Sequence, residues 1–247
     1  MTRLLVVRAT RLLCRGVLAA LRIEVRHEGA PADRPTHDGP ALWVANHLSW
    51  IDIVAMLGHH QCTFVAKDDV RRWPLVGTLG RALGVIWIDR TRKRDLLRTI
   101  PLLGDALRSG CRVILFPEGT TTLGHSVLPF RSSLVEAAVQ AGVPVVPVAL
   151  SVSADRGGGE TLCWVGDETL WAHLRRLVFV RGAVFTIRVL PALAPGPSRK
   201  VQSHAARACI VTARRQPAAQ RAVAWDASAF AKQNFRPMDS SDLEIAR

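Results

Sequence analysis

Between residues 41 and 150, short apolar runs alternate with stretches whose apolar residues recur at helical spacing, a rhythm that few folds accommodate. ALWVAN (41–46), CTFVAK (62–67), VIWIDR (85–90), RVILFPEG (112–119) and VPVVPVAL (143–150) read as strands with polar or glycine-bearing ends. Helical patterns fall between them, at 50–58, 73–84, 92–109 and 131–141; in the third, Leu96, Leu97, Ile100, Leu103 and Leu107 share one side. Strands alternating with helices predict an α/β fold with a mostly parallel central sheet flanked by helices. The prolines of 143–150 place that strand at an edge or an irregular end. RIEVRHEG (22–29) and VFVRGAVFTIRVL (178–190) carry further strand material, 30–40 and DRGGG (155–159) read as loops, and 200–215 reads as a closing basic helix. From 217 on the chain is Ala, Gln, Ser and scattered charge, a composition expected to be loosely ordered.

With 247 residues, 49% of them apolar and 21% charged, the chain suits one domain with a sizeable core and not a disordered one. Its net charge of +13, with 29 of the 33 basic residues arginine, predicts an anionic partner: membrane lipid, nucleic acid or a phosphorylated substrate. Cys14, Cys62, Cys111, Cys163 and Cys209 are dispersed without a C-x-x-C, which argues for free thiols and against a disulfide framework or a metal site. No run of eighteen apolar residues predicts a transmembrane span, and no secretory leader is expected.

Residues 1–21, MTRLLVVRATRLLCRGVLAAL, form an amphipathic pattern. On a helix Arg8, Arg11 and Arg15 fall in one arc, most of the leucines and valines lie opposite, and acids are absent before Glu24. An arginine stripe beside a leucine face predicts a helix lying in a membrane interface. The plain alternative is a helix docked on the protein's own core.

Open α/β sheets place their sites where strands end and helices begin. Polar residues gather at four such ends: Asn46-His47, Lys67, Asp89-Arg90 and Glu118-Gly119-Thr120. In N-H-L-S-W-I-D, His47 precedes Asp52 by five positions, about 140° apart on a continuous helix. The two meet only if His47 lies in the loop after the strand and Asp52 in the first turns of the helix, with Ser49 as cap. Asp52 then holds one imidazole nitrogen and leaves the other free as a base. In F-P-E-G-T-T-T (116–122), Pro117 and Gly119 force a turn whose amides and hydroxyls suit an oxyanion or phosphate, while Glu118 suits a substrate hydroxyl or a neighbouring arginine. Arg90 and, more weakly, Lys67 suit a phosphate. There is no G-x-G-x-x-G, no G-x-x-x-x-G-K and no G-x-S-x-G, so neither a dinucleotide fold, a P-loop nor an α/β-hydrolase elbow is expected. Nucleic-acid binding would use the charge, but aromatics are not interleaved on a basic face.

N-H-L-S-W-I-D, FVAK, G-V-I-W-I-D-R (84–90), F-P-E-G-T and V-P-V-V-P-V, in that order, resemble the block series of the glycerolipid acyltransferase family over residues 41–150. The resemblance implies a glycerol-3-phosphate acyltransferase-like fold with an N-terminal amphipathic helix (1–21), an acyltransferase domain (22–215) and a tail (216–247). It implies His47 as general base, Asp52 as its partner, and Lys67, Arg90, Glu118, Gly119 and Thr120 at the acceptor. The implied reaction needs no cofactor: it takes acyl-CoA or acyl carrier protein as donor and a lysolipid as acceptor. It is placed peripherally, at an anionic membrane surface on the cytoplasmic face of the inner membrane. The implied acceptor is 1-acylglycerol-3-phosphate, with lyso-ornithine lipid as the alternative. The family block often continues E-G-T-R-S, and here Thr121 stands where that arginine would be. CWVGDETLWAHLRRLV (163–178) resembles a segment of bacterial members and carries no role readable from its residues.

Overall fold

The structure, a computed structural model, describes residues 2–29, 39–72, 74–89, 93–155 and 158–216. Its strands are β1 (Ile23–Gly29), β2 (Ala41–Ala45), β3 (Thr63–Lys67), β4 (Ile86–Ile88), β5 (Arg112–Leu115), β6 (Val145–Ser153) and β7 (Ala183–Val189). They form one sheet in the order β1-β7-β6-β2-β5-β3-β4. All neighbours run parallel except β6 and β7, so β1 and β7 oppose the other five. The α/β, mostly parallel expectation holds.

Central strands are apolar throughout because both faces of the sheet are covered. In β2, Ala41, Trp43 and Ala45 enter one core while Leu42 and Val44 enter the other. Helices α1 (Thr2–Ala20), α2 (Ile51–His59) and α6 (Leu170–Leu177) cover the first face; α4 (Lys93–Arg108), α5 (Glu136–Ala141) and α7 (Arg199–Arg215) cover the second. Helix α3 (Pro74–Ala82) links β3 to β4. Gly142 ends α5 at φ 64°, returning its N–H to Ala138 and Val139 before the chain enters β6.

Three expectations change. The strand at 143–150 is not at the edge: β6 lies inside the sheet, between β7 and β2. Pro147 is tolerated because it stands in the gap between the Val145–Leu193 bridge and the ladder to β7, which starts at Val148. Its carbonyl accepts from Leu190 N at 3.0 Å, and no donor is asked of it. Strand material at 178–190 reduces to β7, since 178–180 instead close α6, a helix within the segment that had no assigned role. The run 85–90 is a strand only over β4, and Arg90 lies outside the described residues, as do 30–38 and the tail from 217.

Helix α1 divides its apolar residues between two surroundings. Thr10, Cys14 and Leu18 are buried, and Arg15 Nε donates to the Gly58 carbonyl of α2 at 2.9 Å. Leu5, Leu12 and Leu13 face outward. The helix is therefore docked on its own core and still presents leucines to its surroundings. Among the described residues no helix is long and apolar enough to cross a membrane.

Where α1, α2 and β1 meet, His27 and His59 approach to 3.1 Å between ring nitrogens, and His60 packs edge-on against Trp43 with ring centroids 5.1 Å apart. Burial, then the neighbouring His27, pushes His59 down to about 4; burial, then His27 and His59, pushes His60 down to about 3. Both rings are neutral in the fold but take up a proton near 6.5 once unfolded. The unfolded chain thus binds more protons as pH falls below about 6.5, so folding stability is expected to drop from there toward about pH 4. Denaturant titrations across that window measure the slope. His60→Gln should flatten it, and an unchanged slope would show that this ring does not contribute.

Candidate active site

The parallel strands β2 to β5 end at one rim, and the first loop there carries the histidine. Asn46 sets its departure: its side-chain amide donates to the Leu150 carbonyl at 3.0 Å and accepts from Leu150 N at 2.8 Å, tying the end of β2 to β6. The chain then doubles back, and Asp52, in the first turn of α2, meets the His47 ring. His47 Nδ1–H donates to Asp52 Oδ2 at 2.6 Å; the carboxylate side chain is 0% exposed and the imidazole 17%. The same oxygen accepts from Leu48 N at 2.7 Å and Ser49 N at 3.1 Å. Ser49 is not the cap expected of it: Trp50 holds the cap position without a side-chain bond, and Ser49 Oγ accepts from Ile51 N at 3.1 Å. The imidazole stacks on Phe116 at 4.1 Å between centroids, which fixes its plane and leaves Nε2 for chemistry.

Glu118 joins this loop to the next. Its Oε1 accepts from His47 N at 2.8 Å and its Oε2 from Leu128 N at 3.0 Å. Burial pushes its carboxyl up, while the two amides, His47 and Arg214 pull it back. With both oxygens taken by main-chain amides, it holds the two halves of the site together and has little to offer a substrate hydroxyl. Gly119 adopts φ 76°, and a Cβ there would lie 3.2 Å from the Arg131 guanidinium, which rests over the turn. Thr120 is exposed beside it. Thr121 turns inward and donates to the Trp164 carbonyl. Lys67 ends β3, two strands from β2, and pairs with Asp69. His47, Asp52, Glu118, Gly119 and Thr120 thus come together, Lys67 stands apart on the same rim, and Arg90 lies outside the described residues.

Several residues at the site have no signal in sequence spacing. Trp164 N donates to the Leu48 carbonyl at 2.9 Å, and Thr122 N donates to the His47 carbonyl at 3.0 Å. Trp50 Nε1 donates to His173 Nδ1 of α6 at 2.9 Å; burial, then Arg176, pushes that imidazole down and keeps it neutral, as an acceptor must be. From α7, Arg207 donates to the carbonyls of Leu128 and Val127, and Arg214 to those of Leu150 and Gly124. These partners lie tens of residues apart in sequence. Cys163 is buried; its burial, then the Asp52 carboxylate, pushes it up to about 12, so it is protonated and a poor nucleophile.

A family model described as "Acyltransferase" matches residues 22–151. The chain is 40% identical over 172 residues to a lyso-ornithine lipid O-acyltransferase of Pseudomonas aeruginosa, covering 69% of this chain and 64% of that one. It is 37% identical over 182 residues to a 1-acyl-sn-glycerol-3-phosphate acyltransferase of Neisseria meningitidis, covering 74% and 69%. The crystal structure of PlsC, the 1-acyl-sn-glycerophosphate (LPA) acyltransferase of Thermotoga maritima, superposes with a TM-score of 0.65 at 24% identity, covering 87% of this chain and 83% of that one, and shares the fold.

Glu118→Ala would leave the half-buried amides of His47 and Leu128 without their acceptors, a loss expected to be on the order of 2 kcal/mol. Glu118→Gln keeps one acceptor oxygen and should lose less. Urea unfolding of the three proteins checks this ranking, and equal stability of wild type and the alanine variant would refute the clamp.

Proposed function

This chain belongs to the acyltransferase family, and from that premise we propose that it transfers a fatty acyl group from a thioester to the hydroxyl of a lysolipid, 1-acylglycerol-3-phosphate first among acceptors. The observation that carries the reading is the His47–Asp52 pair at an open rim, beside the Phe-Pro-Glu-Gly turn.

Asp52 holds the Nδ1–H tautomer, so Nε2 has the lone pair that a base requires. Nε2 takes the proton of the acceptor hydroxyl as its oxygen bonds to the thioester carbonyl carbon. The carbonyl re-forms as the carbon–sulfur bond breaks, and the leaving thiolate takes the proton from the imidazolium. Asp52 stabilises that imidazolium without itself accepting a proton. Every group in this sequence is a side chain or a substrate, and the donor is acyl-CoA or an acylated carrier protein. Both are anionic and suit a chain of net charge +13.

Gly119, Thr120 and the overlying Arg131 receive the acceptor head group, Glu118 positions the turn, and Lys67, farther along the rim, and Arg90 add positive charge for it. Arg131 supplies there the guanidinium that Thr121 does not. A second reading, lyso-ornithine lipid as acceptor, is favoured by the same threonine: its hydroxyl is engaged by Trp164, and the Arg131 guanidinium suits a carboxylate head group as well as a phosphate. Residues 22–215 act as the catalytic module, 216–247 as a tail, and α1 seats the module peripherally on the cytoplasmic face of an anionic membrane through Leu5, Leu12 and Leu13.

His47→Ala is expected to lower acyl transfer by about 10²- to 10⁴-fold while leaving the circular dichroism spectrum unchanged. Transfer at the wild-type rate would exclude the histidine as base. Arg131→Gln is expected to raise KM for lysophosphatidate about ten- to hundredfold with a smaller change in kcat, since a charge-assisted contact to the head group is lost. The same assay run with lyso-ornithine lipid decides between the acceptors.

A further inference from the structure

Helix α6 has two unlike faces. Its inner side buries His173 and Leu177, and through His173 and Trp50 it braces the loop that carries His47. Its outer side is apolar and aromatic in the open: Trp171 is 72% exposed, Val178 68% and Phe179 81%. At 100° per residue Trp171, Arg175 and Val178 lie within an arc of about 60°, and Phe179 follows in the turn. We propose that this outer face is a membrane-docking surface, seated in the interface of a bilayer that carries anionic head groups.

Charge selects this occupant. No acidic residue occurs between Glu168 and Asp226, while Arg175 and Arg181 are exposed on and just beyond the helix. A second copy laid on this face by two-fold symmetry would bring the exposed Arg175 and Arg181 of both copies into one interface, with no acid from 169–225 to pair them. A bilayer with phosphate head groups above acyl chains meets both parts of the surface at once: arginine takes the phosphates, while tryptophan, valine and phenylalanine enter the apolar boundary. Position agrees. Leu18 of α1 and Leu177 of α6 belong to one core on one face of the sheet, so the outward leucines of α1 lie in the same helical layer as this patch. The surface is additional to α1, and it does not rest on the acyl-transfer reading, because binding is measured without turnover.

The test is co-sedimentation of the full chain with vesicles of phosphatidylcholine alone and of phosphatidylcholine mixed with phosphatidylglycerol. Trp171→Ser with Phe179→Ser is expected to lower partitioning onto the mixed vesicles by at least about tenfold. Arg175→Gln should weaken binding to the mixed vesicles and not to the neutral ones. An unchanged circular dichroism spectrum and an unchanged urea midpoint show that the double variant is folded. Leu12→Ser with Leu13→Ser measures the separate share of α1. If the double variant at 171 and 179 partitions like wild type, the proposal is overturned. It is equally overturned if light scattering shows that these substitutions dissociate an oligomer while vesicle binding stays intact.

Discussion

One buried carboxylate oxygen, Oδ2 of Asp52, receives hydrogens from the His47 ring and from the amides of Leu48 and Ser49. Those amides stand just before α2, where the helix's own ladder offers no acceptors. One group therefore closes the loop before the helix and chooses the tautomer of the imidazole. Its burial is tolerable because the donors compensate for lost hydration. The chemistry at His47 thus follows from the manner in which β2 passes into α2, and the ring's plane follows from Phe116 beneath it.

Around this loop the molecule places a frame made largely of main-chain contacts. Glu118 joins it to the 121–131 segment, Trp164 and Thr122 bond its carbonyls, and arginines of α7 hold the far loop that Glu118 grips. Most of these partners are neutral backbone groups, so the frame fixes position without adding many charges near His47. It also gives the 163–178 segment a place, since that segment ties α6 to the loop that carries His47. The site consequently joins both helical layers, and each helix beside it has a structural task as well as an outward one.

How much could be read beforehand differs from residue to residue. His47 and Asp52 were legible because a five-residue gap is incompatible with one helix and natural for a strand–loop–helix passage. The parallel sheet was legible because apolar runs of strand length alternate with helical periodicity. Arg131 was not, since twelve residues separate it from Gly119 and only the return of the loop lays its guanidinium over that turn. His173 and Arg214 escaped for the same reason at greater distance. The proline of β6 suggested an edge because a missing N–H usually needs solvent or a gap. It was accommodated inside because the neighbouring ladder starts beside it.

Local pattern determined the element types, the rim at which polar residues gather, and the histidine–carboxylate pair, because each depends on spacings shorter than one element and its loop. Tertiary structure alone decided the order β1-β7-β6-β2-β5-β3-β4, the inward turn of Thr121, the division of α1 between core and surroundings, and the engagement of both Glu118 oxygens by backbone amides. Those depend on which distant segments share a face. Apolar side chains in a single chain declare that they will be buried, but not against which partner.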